Sequence, residues 1–250
     1  MDRKILKGIY DMHIHCGPSV AERSVDAAEM LKEAEAAGYA GFLVKDHYFP
    51  SMMGTKMVEE HLGNGTCKVY GCMALNNSVG LFNLKALDTA RQMDAKIIYF
   101  PTVSTKKHID DHKKSAFVGA GKASVPENPV SYVDEQGNMD PAAIECLKYM
   151  AEYDMVLGTG HGTLWEVDHL VNKAAELGVK RILVNHPHYN VGASIEDMTR
   201  WSKMGAYIEV NVCVFVGGSK LGVVDLKIAK AMIDACGIDH IILDTDLGQK

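Results

Sequence analysis

The feature that most constrains this chain is a repeated alternation of short apolar runs with longer stretches of helical spacing. Runs suited to β-strands lie within 10–18, 41–48, 68–76, 96–102, 155–161, 181–188, 206–213 and 240–246. Between them, helical spacing covers 24–37, with Ser24 as the expected cap and Gly38 as the stop, and then 57–62, 84–93, 140–153, 164–177, 194–204 and 225–236. Strands joined through helices are parallel, so eight of them in series predict an α/β protein of the (β/α)8 TIM-barrel type. A doubly wound open sheet is the competing arrangement, because periodicity alone does not reveal closure. No G-x-G-x-x-G follows any strand, which removes the usual dinucleotide signature.

The rhythm breaks twice. Residues 105–139 form a long insertion after strand four, with a Gly-rich piece around Gly119 and Gly121 and an expected hairpin around Asp134–Asn138. Long loops in compact domains are usually functional, and this one is expected to pass over the active-site end. The second break comes after strand eight, where the sequence reaches Lys250 without the eighth helix that would cover that strand. Further chain or another subunit would fill the place, so a homo-oligomer is compatible. Otherwise residues 1–250 read as a single domain.

Composition narrows the function class. A net charge of −6 argues against nucleic acid or an acidic membrane surface as the main partner. No apolar run nears the ~20 residues needed to span a bilayer, and Lys7 and Asp11 interrupt any leader-like segment. The six cysteines are scattered, with no C-x-x-C pair, and read as reduced thiols of a cytoplasmic protein. The methionines fall mostly at core spacing and read as packing.

The stretch Tyr10-Asp11-Met12-His13-Ile14-His15-Cys16-Gly17-Pro18 is the chemically distinctive one. Side chains alternate along a strand, so His13 and His15 share a face, and strict alternation puts Asp11 on it too, with Cys16 pointing away. Two imidazoles with a carboxylate behind them make a chelating pair with an orienting partner; alternatively they are two incidental histidines. Further polar residues end later strands: Lys45 and His47, His161, His186, and Asp244 with Asp246. Barrel active sites are built at that end, and buried unpaired imidazoles or carboxylates cost several kcal/mol, so packing alone explains the set poorly.

Asp-x-His-x-His on strand one, single histidines ending strands five and six, and an aspartate after strand eight resemble the amidohydrolase superfamily of metal-dependent hydrolases. More narrowly, Val44–Pro50, Val133–Gly137, Thr159–His161, Val184–Pro187 and Asp244–Gln249 resemble an uncharacterised amidohydrolase-related family. The resemblance implies that His13, His15 and Asp246 bind a divalent metal, and that His161 and His186 bind a second or complete the first. Zinc is the default for such donors, with manganese, iron or nickel compatible, one ion or two. It further implies a metal-activated water, with Asp246 as general base, attacking an amide, ester, lactone or related bond of a small-molecule substrate. Asp246 matches the family position, leaving Asp244 as a supporting or core-facing residue.

One departure stands out. Many binuclear members carry a carboxylated lysine on strand four, where this chain offers Tyr99, Pro101 and Thr102. Lys45 on strand two is then a bridging ligand, an anion-binding group or a charge partner for a nearby carboxylate. His47 shares its face and is a site candidate; His188 is a weaker one for substrate contact. His108 and His112 would chelate on a helix, but their surroundings suggest a solvated lid; the Lys113–Lys114 pair reads as solvated surface, with contact to an anionic ligand as the alternative. Glu209 and Asn211 can reach the site, though nothing in the sequence selects them. The competing functions are a phosphoesterase of the polymerase-and-histidinol-phosphatase type, a metal-dependent decarboxylase of the same superfamily, and a metal-binding protein without catalysis.

Overall fold

A computed structural model describes residues 3–113, 120, 124–217 and 221–250. Its eight strands are β1 (Tyr10–Ile14), β2 (Gly41–Val44), β3 (Lys68–Ala74), β4 (Ile97–Tyr99), β5 (Val156–Gly158), β6 (Arg181–Val184), β7 (Tyr207–Asn211) and β8 (Ile241–Asp244). They pair in parallel and in strict sequence order, β1 to β8, which rules out the doubly wound alternative. The helices are α1 (Ala27–Ala37), α2 (Met52–Leu62), α3 (Leu84–Gln92), α4 (Lys106–Asp111), α5 (Pro141–Glu152), α6 (Leu164–Glu176), α7 (Ile195–Lys203) and α8 (Leu226–Cys236). All but α4 carry the chain from one strand to the next, giving a (β/α)8 barrel whose described residues end without a helix after β8.

Alternation sorts the strand residues into two cores. Leu43, Cys72, Ala74, Ile97, Tyr99 and Leu183 point inward and pack with Met12, Tyr70, Val156 and Ile242. Their neighbours Met73, Ile98, Leu157, Ile182, Val184, Ile208 and Val210 point outward beneath the helices. Leu243 also points outward on β8, but is 61% exposed because no described helix lies over it. All six cysteines are buried free thiols. Met52, Met73, Met139, Met150, Met155, Met198 and Met232 are core residues, whereas Met53, Met57, Met93 and Met204 are exposed.

Several expectations need correction. Asp26, not Ser24, caps α1, through a reciprocal capping box with Glu29; Gly38 closes it in the left-handed conformation, as expected. Helix α2 starts at Met52, ahead of the expected 57, because the chain turns at Ser51, whose hydroxyl ties to Val44 and Cys72. β1 keeps His13 and β8 keeps Asp244, but β2, β5 and β6 end before Lys45, His161 and His186, which sit with His15, His47 and Asp246 in loops at the barrel mouth. The expected hairpin around 134–138 is present, with Val133 bridged to Met139. Lys113 is exposed and pairs with Asp110, whereas Gly119, Gly121 and Lys114 lie outside the described residues.

Asp11 does not share the face of His13 and His15. Asp11 pairs with Phe42 and Ile14 with Val44, so β1 fits one extra residue between them. A one-residue insertion reverses the facing of everything before it. Asp11 is therefore on the outer side with Ile14 and Phe42, and its Oδ1 accepts backbone N–H groups from His13 and Thr245, both at 3.2 Å.

The barrel closes at its C-terminal mouth. The Asp246 N–H donates to His13 O and the His15 N–H to Leu247 O, both 2.8 Å. Gly248 makes this approach possible: φ is +95°, and a Cβ built there would lie 1.8 Å from His15 O. Gly248→Ala is expected to cost about 3 kcal/mol, from backbone strain plus the clash. Gly178→Ala, also at positive φ (+86°) but with nothing within 4 Å, should cost about 1 kcal/mol. Urea midpoints check this; equal shifts in the two variants would show that the seam is not tightly packed.

Candidate metal centre

Five histidines form a closed circuit at the barrel mouth. Successive ring centroids are 5.3 Å apart from His13 to His15, 5.1 Å from His15 to His47, 5.3 Å from His47 to His161, 5.3 Å from His161 to His186 and 4.9 Å from His186 back to His13. They come from the ends of β1, β2, β5 and β6, and all are buried. The expected site residues His13, His15, His47, His161 and His186 are thus brought together, with Asp246 against His13 and His15. Lys45 Nζ is buried without a hydrogen-bond partner, 4.5 Å over the Tyr99 ring, and among the described residues no carboxylate pairs with it. His188 is half-buried, with its Nδ1 unpaired.

Several of these imidazoles are fixed by a group from another strand end. Glu209 on β7 accepts from His13 Nδ1 at 2.8 Å, through Oε1. The same carboxylate takes Asn185 Nδ2 at 2.9 Å and the His186 N–H at 2.9 Å. Burial alone would push the Glu209 carboxyl up, but the His13 and His186 imidazoles hold it well below the usual carboxylate range. His47 Nδ1 is held by Thr102 Oγ1 at 2.9 Å, and Thr102 in turn by Asn76. His186 Nδ1 lies 2.8 Å from Asn211 Oδ1 and 2.6 Å from the Tyr189 hydroxyl. Asp244 Oδ1 accepts from Asn211 Nδ2 at 2.6 Å, one contact removed from the His186 imidazole.

Sequence reasoning therefore mistook the orienting carboxylate. It is Glu209, which alternation along β7 points inward, rather than Asp11. Tyr189 was missed as well: its hydroxyl donates to Asp246 Oδ2 at 3.0 Å, while Gln249 Nε2 reaches Oδ1 at 3.1 Å. His108 and His112 also differ from expectation. They lie on and at the end of α4; His108 is buried with its Nδ1 3.4 Å from His161 Nδ1, and His112 caps back onto His108 O. They form an imidazole stack behind His161 rather than a solvated lid.

The donor set fits a divalent ion. His13 Nε2 and His15 Nε2 lie 3.2 and 3.1 Å from Asp246 Oδ1, yet neither nitrogen makes a hydrogen bond. Ligand atoms bound tetrahedrally at ~2.0–2.1 Å lie about 3.3 Å apart, which matches. His161 Nε2 is likewise buried and unpaired. Burial pushes the His15 imidazole down to about 3, and holds His47 and His161 well below their ordinary value, leaving them neutral as metal ligation requires. Among the described residues, two groups of buried donors are close enough to hold an ion: His13, His15 and Asp246, and His13, His186 and Glu209. In the second, oxygen–nitrogen distances of 2.8 and 3.1 Å are those of direct hydrogen bonds, so Glu209 reads more simply as an orienting group.

The sequence from Gly8 to Glu209 matches the model of a family of unknown function, DUF6282. The chain belongs to that family. No protein of curated function matches this DUF6282 chain. Among solved structures, it is similar to an amidohydrolase from Pseudomonas aeruginosa, with a TM-score of 0.62 at 11% identity, covering 100% of this chain and 78% of that one. It is also similar to the probable dipeptidase PvdM from Pseudomonas aeruginosa (TM-score 0.59, 11% identity, 98% and 85% covered). A third is an amidohydrolase from Burkholderia multivorans (TM-score 0.52, 11% identity, 96% and 84% covered). At this identity the likeness carries the fold; in this DUF6282 chain the chemistry rests on the donors themselves. Among its described residues no helix is long and apolar enough to cross a membrane.

Two of the site residues hold unusual backbone. His186 has φ +46° and Asp246 φ +50°, the left-handed region that costs a residue with a Cβ about 1–3 kcal/mol. Such strain at a site is tolerated where the surroundings dictate the geometry. In chelator-treated protein, Asp246→Gly is expected to be about 1 kcal/mol more stable than Asp246→Ala, since only glycine adopts this φ freely. Equal unfolding midpoints would show that the loop relaxes and stores no strain.

Proposed function

We propose that this chain is a metal-dependent hydrolase that cleaves an amide, ester, lactone or related bond of a small molecule. The carrying observation is the convergence of His13 Nε2 and His15 Nε2 on one oxygen of Asp246, without a hydrogen bond at either nitrogen. His13, His15 and Asp246 would hold a first divalent ion, and His161 and His186 a second or the remaining positions of the first. Zinc suits this nitrogen-rich set best, with manganese, iron and nickel sharing its geometry. Bound there, the ion supplies Lewis acidity towards the scissile group and acidifies water.

The protein's own part follows from its hydrogen bonds. Asp246 accepts the proton of the attacking water as the new carbon–oxygen bond forms, and returns it to the leaving nitrogen or oxygen as the old bond breaks. Tyr189 and Gln249 keep that carboxylate in place during the exchange. Burial drives the Tyr189 phenol well above its usual range, so it remains a donor. Burial also lowers Lys45, against the opposing pull of Glu209 and Asp246. An unpaired amine at that spot suits the bridging role of a carboxylated lysine, in the place of the one absent from β4. His47 and His188 are assigned to substrate contact.

Two measurements test this reading. Elemental analysis of the purified protein should give one or two divalent ions per chain, and His13→Ala with His15→Ala should lose most of the metal; full retention overturns the assignment. Metal-loaded protein should turn over members of a panel of lactones, amides and phosphomonoesters, with Asp246→Asn slowed about 10²–10⁴-fold. Unchanged turnover in that variant removes the general-base role, and turnover of phosphomonoesters alone replaces the hydrolase by a phosphoesterase.

A further inference from the structure

Arg23 lies in the loop between β1 and α1, and its side chain is only 1% exposed. Its Nε, Nη1 and Nη2 make no hydrogen bond. A guanidinium carries five N–H donors in a rigid fork, and burying it with none of them satisfied is costly. The carboxylate alongside it does not meet that need. Asp46 Oδ2 is 3.7 Å from Nη2, beyond hydrogen-bonding distance. Asp46 is moreover committed elsewhere: its Oδ1 accepts from the Tyr48 and Phe49 N–H groups at 2.7 and 3.0 Å, and its Oδ2 accepts from the Ser19 hydroxyl.

The fold nevertheless holds Arg23 firmly beside the metal-site residues. Its backbone is bridged to Gln249, and the next N–H, of Ser24, donates to Gly248 O at 2.9 Å. Gln249 is the residue whose Nε2 contacts Asp246 Oδ1. The Arg23 loop and the carboxylate of the site are thus tied to one short strap, residues 247–249. Lys45 Nζ, also buried, lies over the Tyr99 ring inside the barrel.

We propose that Arg23 is the specificity-determining residue for an oxyanion on the substrate, a carboxylate or phosphate held by the guanidinium fork next to the scissile bond. This rests on the hydrolase reading, narrowing its substrate to an anionic molecule. Planar carboxylates and phosphates match the paired donors of arginine in a way that a neutral amide does not.

The test is calorimetric binding of benzoate, inorganic phosphate and neutral benzamide to metal-loaded and chelator-treated protein, in wild type, Arg23→Met and Arg23→Lys. The expected result is anion binding that survives chelation, is absent for benzamide, and weakens about 10- to 100-fold in Arg23→Met, with Arg23→Lys between. Benzoate and phosphate report which oxyanion the site prefers. Anion binding of equal strength in wild type and Arg23→Met, or abolished by chelation alone, overturns the proposal. Thermal melts guard against a purely structural role: removing an unsatisfied buried charge should leave stability unchanged or raise it. If Arg23→Met and Asp46→Asn lower it alike, Arg23 is a structural ion pair and the proposal fails. Absence of metal from wild type, with Arg23-dependent anion binding intact, would instead overturn the hydrolase reading alone.

Discussion

The hydrogen bond between Glu209 and His13 is the constraint from which the rest of the site follows. A buried carboxylate is tolerable only when its lone pairs are filled, and Glu209 is filled by His13 Nδ1, Asn185 Nδ2 and the His186 N–H. Engaging Nδ1 of His13 turns Nε2 towards Asp246, and it brings the ends of β1, β6 and β7 to one atom group. Loss of such an outer partner typically costs about 10–100-fold in metal affinity or activity. A barrel with the same histidines but an apolar residue at 209 would hold the same donors without a defined direction.

Much of the architecture was legible because the barrel reads one rule repeatedly. Period-two alternation puts Leu43 and Ile242 inside, and on the same faces, one step further on, Lys45 and Asp244. The polar residues after each apolar run therefore mark the mouth in the sequence itself. Asp11 was misread because nothing in Tyr10–Ile14 signals an extra residue, and a single insertion reverses its face. Helix α4 was missed for a different reason. It has six residues, too few for apolar periodicity, although the Lys106–Asp110 and Lys107–Asp111 pairs at helical spacing were available.

Loop residues were harder still. Tyr189 and Arg23 belong to no strand or helix, so no periodicity aims them, and their roles arise from where the ladder stops. Strand ends were drawn too long for the same reason: the histidines that look like the last strand residues leave the ladder to point at one another. Their backbone has to bend to do so, and His186 and Asp246 take left-handed conformations that no propensity scale would assign them.

Closure and chemistry are therefore the same problem in this barrel. Among the described residues β1 meets the segment that follows β8 through the Ile14–Leu247 bridge, and the flanking hydrogen bonds use the backbones of His13, His15 and Asp246 themselves. Elsewhere in the sheet, neighbouring strands share several paired residues, and the ladder stands without help from the site. At the seam the ladder is one bridge long, so side-chain convergence on Asp246 and the close approach at Gly248 have to complete it. Any ion bound by His13, His15 and Asp246 would link the first strand to the last, and its binding energy would stabilise the closed barrel as well as the catalytic geometry.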